Sequence, residues 1–204
     1  GAVARYLMQN SLADSIGSNH GTNYGLSFMT LPGGGFFGYG YSNSAGVIFA
    51  TIPNTVFDST GDFTISTWFA ASVYESERTI IAKVVNSPDQ MYGVDQNTTL
   101  NLRLTSSLGL KLSISGTNVS TPEVYSVEDT GFFGDSRWYN VISMVQNNTL
   151  LLFVDGVLIQ SASFTLAHRL SSQPVSFGLI DYGWEKHNPF TDGIVEAPAD
   201  ALRR

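Results

Sequence analysis

The chain has 204 residues, 43% hydrophobic and 12% aromatic, which is enough for one sizeable core. Only 13% are charged, the net charge is −7, and no basic run exceeds Arg203-Arg204, so a phosphate-rich partner has no stripe on which to release counterions. Nucleic acid and anionic membrane are therefore poor partners, the absence of cysteine excludes disulfides and thiolate metal sites, and no apolar stretch reaches the length of a membrane span.

Residues 2–8 read as a first strand, followed by a polar, Gly-rich loop over 10–27. Phe28-Met-Thr-Leu31 reads as a second strand, stopped by Pro32-Gly-Gly-Gly35. Phe36-Phe-Gly-Tyr-Gly-Tyr41 has two readings: an aromatic platform for a sugar, or a strand with glycines where another backbone comes close. Residues 47–52 and 62–70 alternate with period two. Phe63, Ile65, Thr67 and Phe69 share one face of the latter; Thr64, Ser66 and Trp68 share the other, a mixture that suits a ligand-facing concave side. Thr79–Val85, Met91–Val94, Leu100–Leu104 and Leu108–Ile114 follow as short, evenly spaced strands, and 116–136 reads as an insertion carrying Glu123, Glu128, Asp129 and Asp135.

Trp138–Leu158 is the most informative stretch. Val141–Val145 and Leu150–Val154 are apolar runs separated by Gln146-Asn-Asn-Thr149, an antiparallel hairpin, and Asp155-Gly156 turns the chain again before Val157-Leu-Ile159. Because the second run is apolar at almost every position, both of its faces are expected to be covered inside a two-layer sandwich. Phe164–Leu166 and Val175–Ile180 read as the last strands, and a short helix is expected over 199–204.

Four stretches in order resemble concanavalin A-like jelly rolls of the laminin G and pentraxin type. They are Ala4-Arg-Tyr-Leu7 with Asp14-Ser-Ile-Gly17, Val47–Pro53, Asp62-Phe-Thr-Ile-Ser-Thr-Trp-Phe69, and Trp138 with Val141, Val145, Leu150, Leu152, Val154, Asp155 and Gly156. The resemblance covers residues 4–160. It implies an all-β, two-sheet antiparallel jelly-roll sandwich forming one domain over 1–204. The family's closing strand has its nearest counterpart in Phe190–Glu196, which lacks the expected Asp before Glu196, and residues 197–204 are open to use as a docking tail.

Glucanases share this fold, yet the clustered strand carboxylates that glycoside hydrolysis requires are missing. Glu75/Glu77 and Glu128/Asp129 fall in segments read as polar loops, and His20, His168 and His187 lack a nucleophile elbow, so the chain reads as non-catalytic. The resemblance also implies rim calcium, for which Asp89, Asp95, Asp129, Asp135, Asp181 and Asp192 are candidate oxygen donors with no spacing that selects a set. Asp181-Tyr-Gly-Trp-Glu-Lys-His-Asn188 is the strongest ligand patch. Tyr182 and Trp184 offer flat rings, and His187 and Asn188 offer hydrogen bonds, the mixture that sugar sites use; a loop whose aromatics plug the end of the sandwich is the competing reading. Three Asn-x-Ser/Thr sequons, at Asn97, Asn118 and Asn147, are attributed to chance in an Asn- and Thr-rich chain.

Two functions follow as expectations. The first is a recognition or adhesion module that binds glycans through rim loops outside cells. The second is a structural virion protein, a capsid decoration or tail-associated component, with capsid or tail proteins as partners.

Overall fold

The computed structural model describes residues 2–8, 10–30, 39–42, 49–57, 61–72, 76–86, 88, 93–116, 123–165, 171–182, 186–187, 193–196 and 202–203. In chain order the strands are β1 (Thr22–Tyr24), β2 (Ser27–Thr30), β3 (Tyr39–Ser42), β4 (Phe49–Ile52), β5 (Phe63–Ala71), β6 (Arg78–Val84), β7 (Thr98–Leu104), β8 (Leu110–Ser115) and β9 (Val124–Asp129). Then come β10 (Tyr139–Gln146), β11 (Thr149–Val154), β12 (Val157–Ser163), β13 (Val175–Phe177), β14 (Ile180–Asp181), β15 (Lys186–His187), β16 (Gly193–Glu196) and β17 (Leu202–Arg203). One sheet runs β1-β4-β13-β6-β7-β8-β9; the other runs β12-β11-β10-β5-β16-β3-β2, with β17 also pairing β5. All pairings between these strands are antiparallel, and the two sheets form the expected jelly-roll sandwich.

The central hairpin forms as the sequence predicts. Asn147 and Asn148 have φ of 48° and 57°, and Asp155 and Gly156 have 48° and 80°. Positive φ at both central residues is the type I′ signature, whose twist matches that of the flanking strands. Asp62 Oδ1 accepts from Asn147 N at 2.9 Å, and Asp155 Oδ1 accepts from Asn140 N at 2.9 Å, so carboxylates brace both turns.

Alternation sorts the side chains. In β5 and β10 every second residue from Phe63 and Tyr139 is buried, and the intervening ones are half-buried except Ala70, which is buried near the end of β5. The inter-sheet core includes an inner row across the seven-stranded sheet, Ala50, Phe177, Ile81, Leu102, Leu112 and Val127, placed edge to edge by strand register. Phe69, Phe133 and Tyr139 close one region of it, with ring centroids 4.8–6.2 Å apart.

Several expectations are corrected. Residues 2–8 alternate in burial as a strand would, but make only isolated bridges, at Ala2 and at Tyr6↔Asp14, and no strand. Positive φ at Met8 and Asn10 turns the chain back, and Asp14 takes the Arg5, Ile16 and Asn19 amides that a neighbouring strand would otherwise use. The loop expected over 10–27 contains β1, and the insertion expected over 116–136 contains β9. Val94 lies in a turn, Val94–Asn97; 91 and 92 fall outside the described residues. Phe164 leaves the strand instead of starting one. Val175–Ile180 is split, because Gly178 (φ 87°) lifts the chain off the large sheet into the β14–β15 hairpin. Leu202–Arg203, expected in a helix, are extended and paired with β5. In β11, Leu150, Leu152 and Val154 are buried, whereas Leu151 and Phe153 are half-buried on the outer face, so an all-apolar run has one core face only. Residues 36–38 of the aromatic–glycine stretch lie outside the described residues, and Tyr39–Tyr41 belong to β3, as the strand reading required.

Candidate functional site

The outer face of the seven-stranded sheet is unlike its inner one. Register places Thr22, Thr51, Ser176, Ala82, Asn101, Ser113 and Ser126 in one row across all seven strands, every side chain small or polar. Towards the middle of the sheet this row is buried, with Asn101 and Ser113 fully so. Two short elements cover part of this face. The Val94–Asn97 turn is pinned by Asp95, which accepts from both terminal guanidinium nitrogens of Arg103, from Lys111 Nζ at 3.1 Å and from Ser113 Oγ at 2.7 Å. Burial pushes the Asp95 carboxyl up; Arg103, followed by Ser113 and Lys111, outweighs this and holds it at about 2.

The second covering element is the β14–β15 hairpin. Ser176 Oγ lies 2.7 Å from the Leu179 carbonyl and 3.2 Å from that of Ala82, and Gly178 N donates to Ile80 O, which fixes the departure angle of the chain. Ile180 and Tyr182 then pack on Ala82, Val84 and Val94 as a small second core. At the foot of the hairpin is a pocket of about 70 Å³, lined by Thr51, Val84, Gln173, Pro174, Ser176 and Asp181. That is well below the roughly 300–1,000 Å³ of enclosing ligand sites, and suits one sugar substituent at the edge of a shallow surface.

The predicted patch therefore divides. Tyr182 is 9% exposed and anchors the hairpin, so its ring is not an open stacking platform. His187 lies in β15 opposite Ile180, and Lys186 lies opposite Asp181. Trp184 and Asn188 lie outside the described residues. Sequence reasoning missed Thr51, Gln173 and Ser176, which join Asp181 only through folding and carry no local signal. The other face proposed for ligands, Thr64, Ser66 and Trp68, is half-buried on the outside of the eight-stranded sheet, away from this pocket, and Asn140 Nδ2 reaches Ser66 Oγ at 3.4 Å.

Among the described residues the candidate calcium donors do not converge. Asp95 is enclosed by cations, Asp135 accepts from Tyr139 Oη and Arg137 N, and Asp129 accepts from Gly131 N. Asp89 and Asp192 fall outside the described residues, among which no three His, Asp or Glu side chains group as a metal site. Glu128 and Asp129 lie within β9, not in a loop; as strand neighbours they point to opposite faces and cannot act as a facing acid–nucleophile pair. Glu75 lies outside the described residues, and Glu77 Oε1 is 3.4 Å from Arg103 Nε. His20 Nδ1 accepts from Asp14 N, a loop hydrogen bond as expected. Asn97, in the first sequon, is 4% exposed and presents no open acceptor for a glycan.

The chain belongs to the concanavalin A-like lectin/glucanases superfamily, whose profile matches residues 43–196. No curated protein sequence matches it. Among solved structures it is similar to domain 4 of an extracellular arabinanase from Geobacillus stearothermophilus in complex with arabinotriose, at 15% identity and TM-score 0.66 over 99% of this chain and 94% of that one. It is also similar to the receptor-binding domain of botulinum neurotoxin type G, at 13% identity and TM-score 0.63. That match covers all of this chain but 48% of the neurotoxin domain, so the chain spans about half of that relative. A Ruminococcus gnavus sialidase module bound to α2,3-sialyllactose matches at 16% identity and TM-score 0.56, over 73% of this chain and 82% of the module. At these identities the likeness establishes the fold.

Proposed function

We propose that this protein is a non-catalytic carbohydrate-binding module acting outside cells. Its ligand surface is the β14–β15 hairpin, with Trp184, His187 and Asn188, together with the pocket at its foot. The carrying observation is that pocket, which draws hydrogen-bonding side chains from β4, from the approach to β13, from β13 itself and from β14 to one point, with Asp181 three residues before Trp184 in sequence. Tyr182 serves this reading as the anchor that holds the end of β14 on the sheet. Structures of the same fold with arabinotriose or sialyllactose bound support the ligand class, and the divergent β9 carboxylates support the lack of catalysis. A virion role draws no support from these relatives.

The test is a glycan array, run with and without calcium, on the intact chain and on Trp184→Ala. Binding is expected to fall about tenfold or more, the loss of one stacking ring and its buried contacts. If Trp184 serves binding and not the core, the melting temperature is expected to stay within about 2 °C. A large drop in melting temperature would favour the end-plug reading.

A further inference from the structure

We infer that this site selects neutral oligosaccharides over sialylated or uronate-bearing ones. The inference rests on the reading of the site as a glycan site and adds the class of glycan.

Three observations carry it. The first is the hydrogen-bonding sense of the pocket. Asp181 is the one charged residue among the six that line it, and an ionised carboxylate only accepts. The Ser176 hydroxyl proton is directed to the Leu179 or Ala82 carbonyl, which leaves its oxygen as a further acceptor. Thr51 and Gln173 can donate as well as accept, so the lining mixes neutral donors with an acidic acceptor and offers no cationic donor; sugar hydroxyls, which donate and accept, meet that set better than a carboxylate, which only accepts.

The second is the disposition of the cations. Binding an anionic sugar calls for an Arg or Lys whose charge is available. Arg78 Nη2 donates to Ser72 O, Lys83 Nζ donates to Asn54 O, Arg103 and Lys111 both serve Asp95, and Arg137 lies over the Tyr139 ring and towards Asp155. Arg5 is engaged as well. Among the described side chains, then, no Lys or Arg lines the pocket, and those that are buried are already paired.

The third is the field around the site. The hairpin sequence carries Asp181, Glu185 and Lys186, two acids against one base, in a chain of net charge −7. An approaching anion meets a net negative charge on the hairpin and on the chain as a whole, a repulsion that salt screens beyond about 10 Å.

The experiment is an array of neutral glycans printed beside the same cores bearing sialic or uronic acid, probed with the intact chain. Titrations with arabinotriose and α2,3-sialyllactose accompany it. Neutral cores are expected to bind at least about tenfold better than their acidic counterparts, the discrimination a like-charge contact provides. Better binding to the acidic members overturns the inference and leaves the glycan reading standing. No binding to any member overturns both. Asp181→Lys, checked for an unchanged melting curve, is expected to shift the preference towards acidic cores. Asp181→Asn serves should the lysine variant fail to fold, and is expected to narrow the ratio several-fold. An unaltered ratio in a folded variant means that this pocket does not set selectivity.

Discussion

At the scale of single residues, Asp95 and Ser143 show opposite consequences of burying polarity. Asp95 is enclosed by Arg103, Lys111 and Ser113 on the outer face of the seven-stranded sheet. Its folded pKa of about 2 lies below the ordinary 3.8. The stability this contributes is complete above about pH 4 and is lost as the pH falls towards 2. Asp95→Asn leaves Arg103, 5% exposed, with Glu77 alone. The expected cost is about 3 kcal/mol, the low end for breaking a buried pair, because Asp95 keeps some solvent contact. Thermal melts should show a large deficit at pH 7 that narrows between pH 4 and 2; a deficit constant across that window would refute the pairing. Ser143 lies on the core face of β10, fully buried, and its hydroxyl has no hydrogen-bond partner. Ser143→Ala removes that unsatisfied group at almost constant volume, and should raise stability by about 1 kcal/mol in chemical denaturation. A loss of stability would mean that a water or a neighbour satisfies it.

At the scale of elements, the two type I′ turns explain why Trp138–Leu158 was legible in the sequence. Asn147-Asn148 and Asp155-Gly156 are among the few pairs that adopt positive φ at both positions, and the flanking period of two does the rest. A Cβ added at Gly156 meets nothing within 4 Å, so Gly156→Ala isolates the backbone term. It should cost about 1 kcal/mol, or roughly 2–4 °C of melting temperature in a domain of this size. Gly156→Asn should cost less, because Asn tolerates this region; equal losses would point to some effect other than φ. Elements defined by non-local bonds were misread for the complementary reason. Residues 2–8 have strand periodicity, but the Arg5 amide goes to the Asp14 side chain. Glu128 and Asp129 looked like loop acids because β9 has a polar edge and owes its existence to β8, against which Val127 completes the inner row. The pocket is harder still to read, since Thr51, Gln173, Ser176 and Asp181 meet only once β4, β13 and β14 have been assembled.

At the scale of the molecule, the chain closes on itself at β5. That strand pairs with β10 on one side, and on the other with β16 along Trp68–Ala71 and with β17 at Phe63–Thr64. β16 is also the link to β3, and through it to β2, so the first and last parts of the chain are joined in the middle of the eight-stranded sheet. This gives the two terminal segments unequal weight. Removing 197–204 deletes β17 and unpairs two residues of β5, leaving the order β10-β5-β16-β3-β2 intact. The truncated chain should still unfold in one cooperative transition, its melting temperature lowered by a few degrees, about 1–2 kcal/mol for a short strand at the end of β5. Removing 193–204 also deletes β16, which cuts β2 and β3 from the sheet and exposes the edge of β5 from Phe63 to Ala71. An isolated two-stranded hairpin is marginal in water, and an unprotected central edge invites aggregation. The shorter chain should therefore lose its cooperative calorimetric transition or aggregate during expression. If both truncations melt alike, β16 does not close the sheet; if the 197–204 deletion alone abolishes folding, the tail holds far more of the domain together than its two paired residues imply.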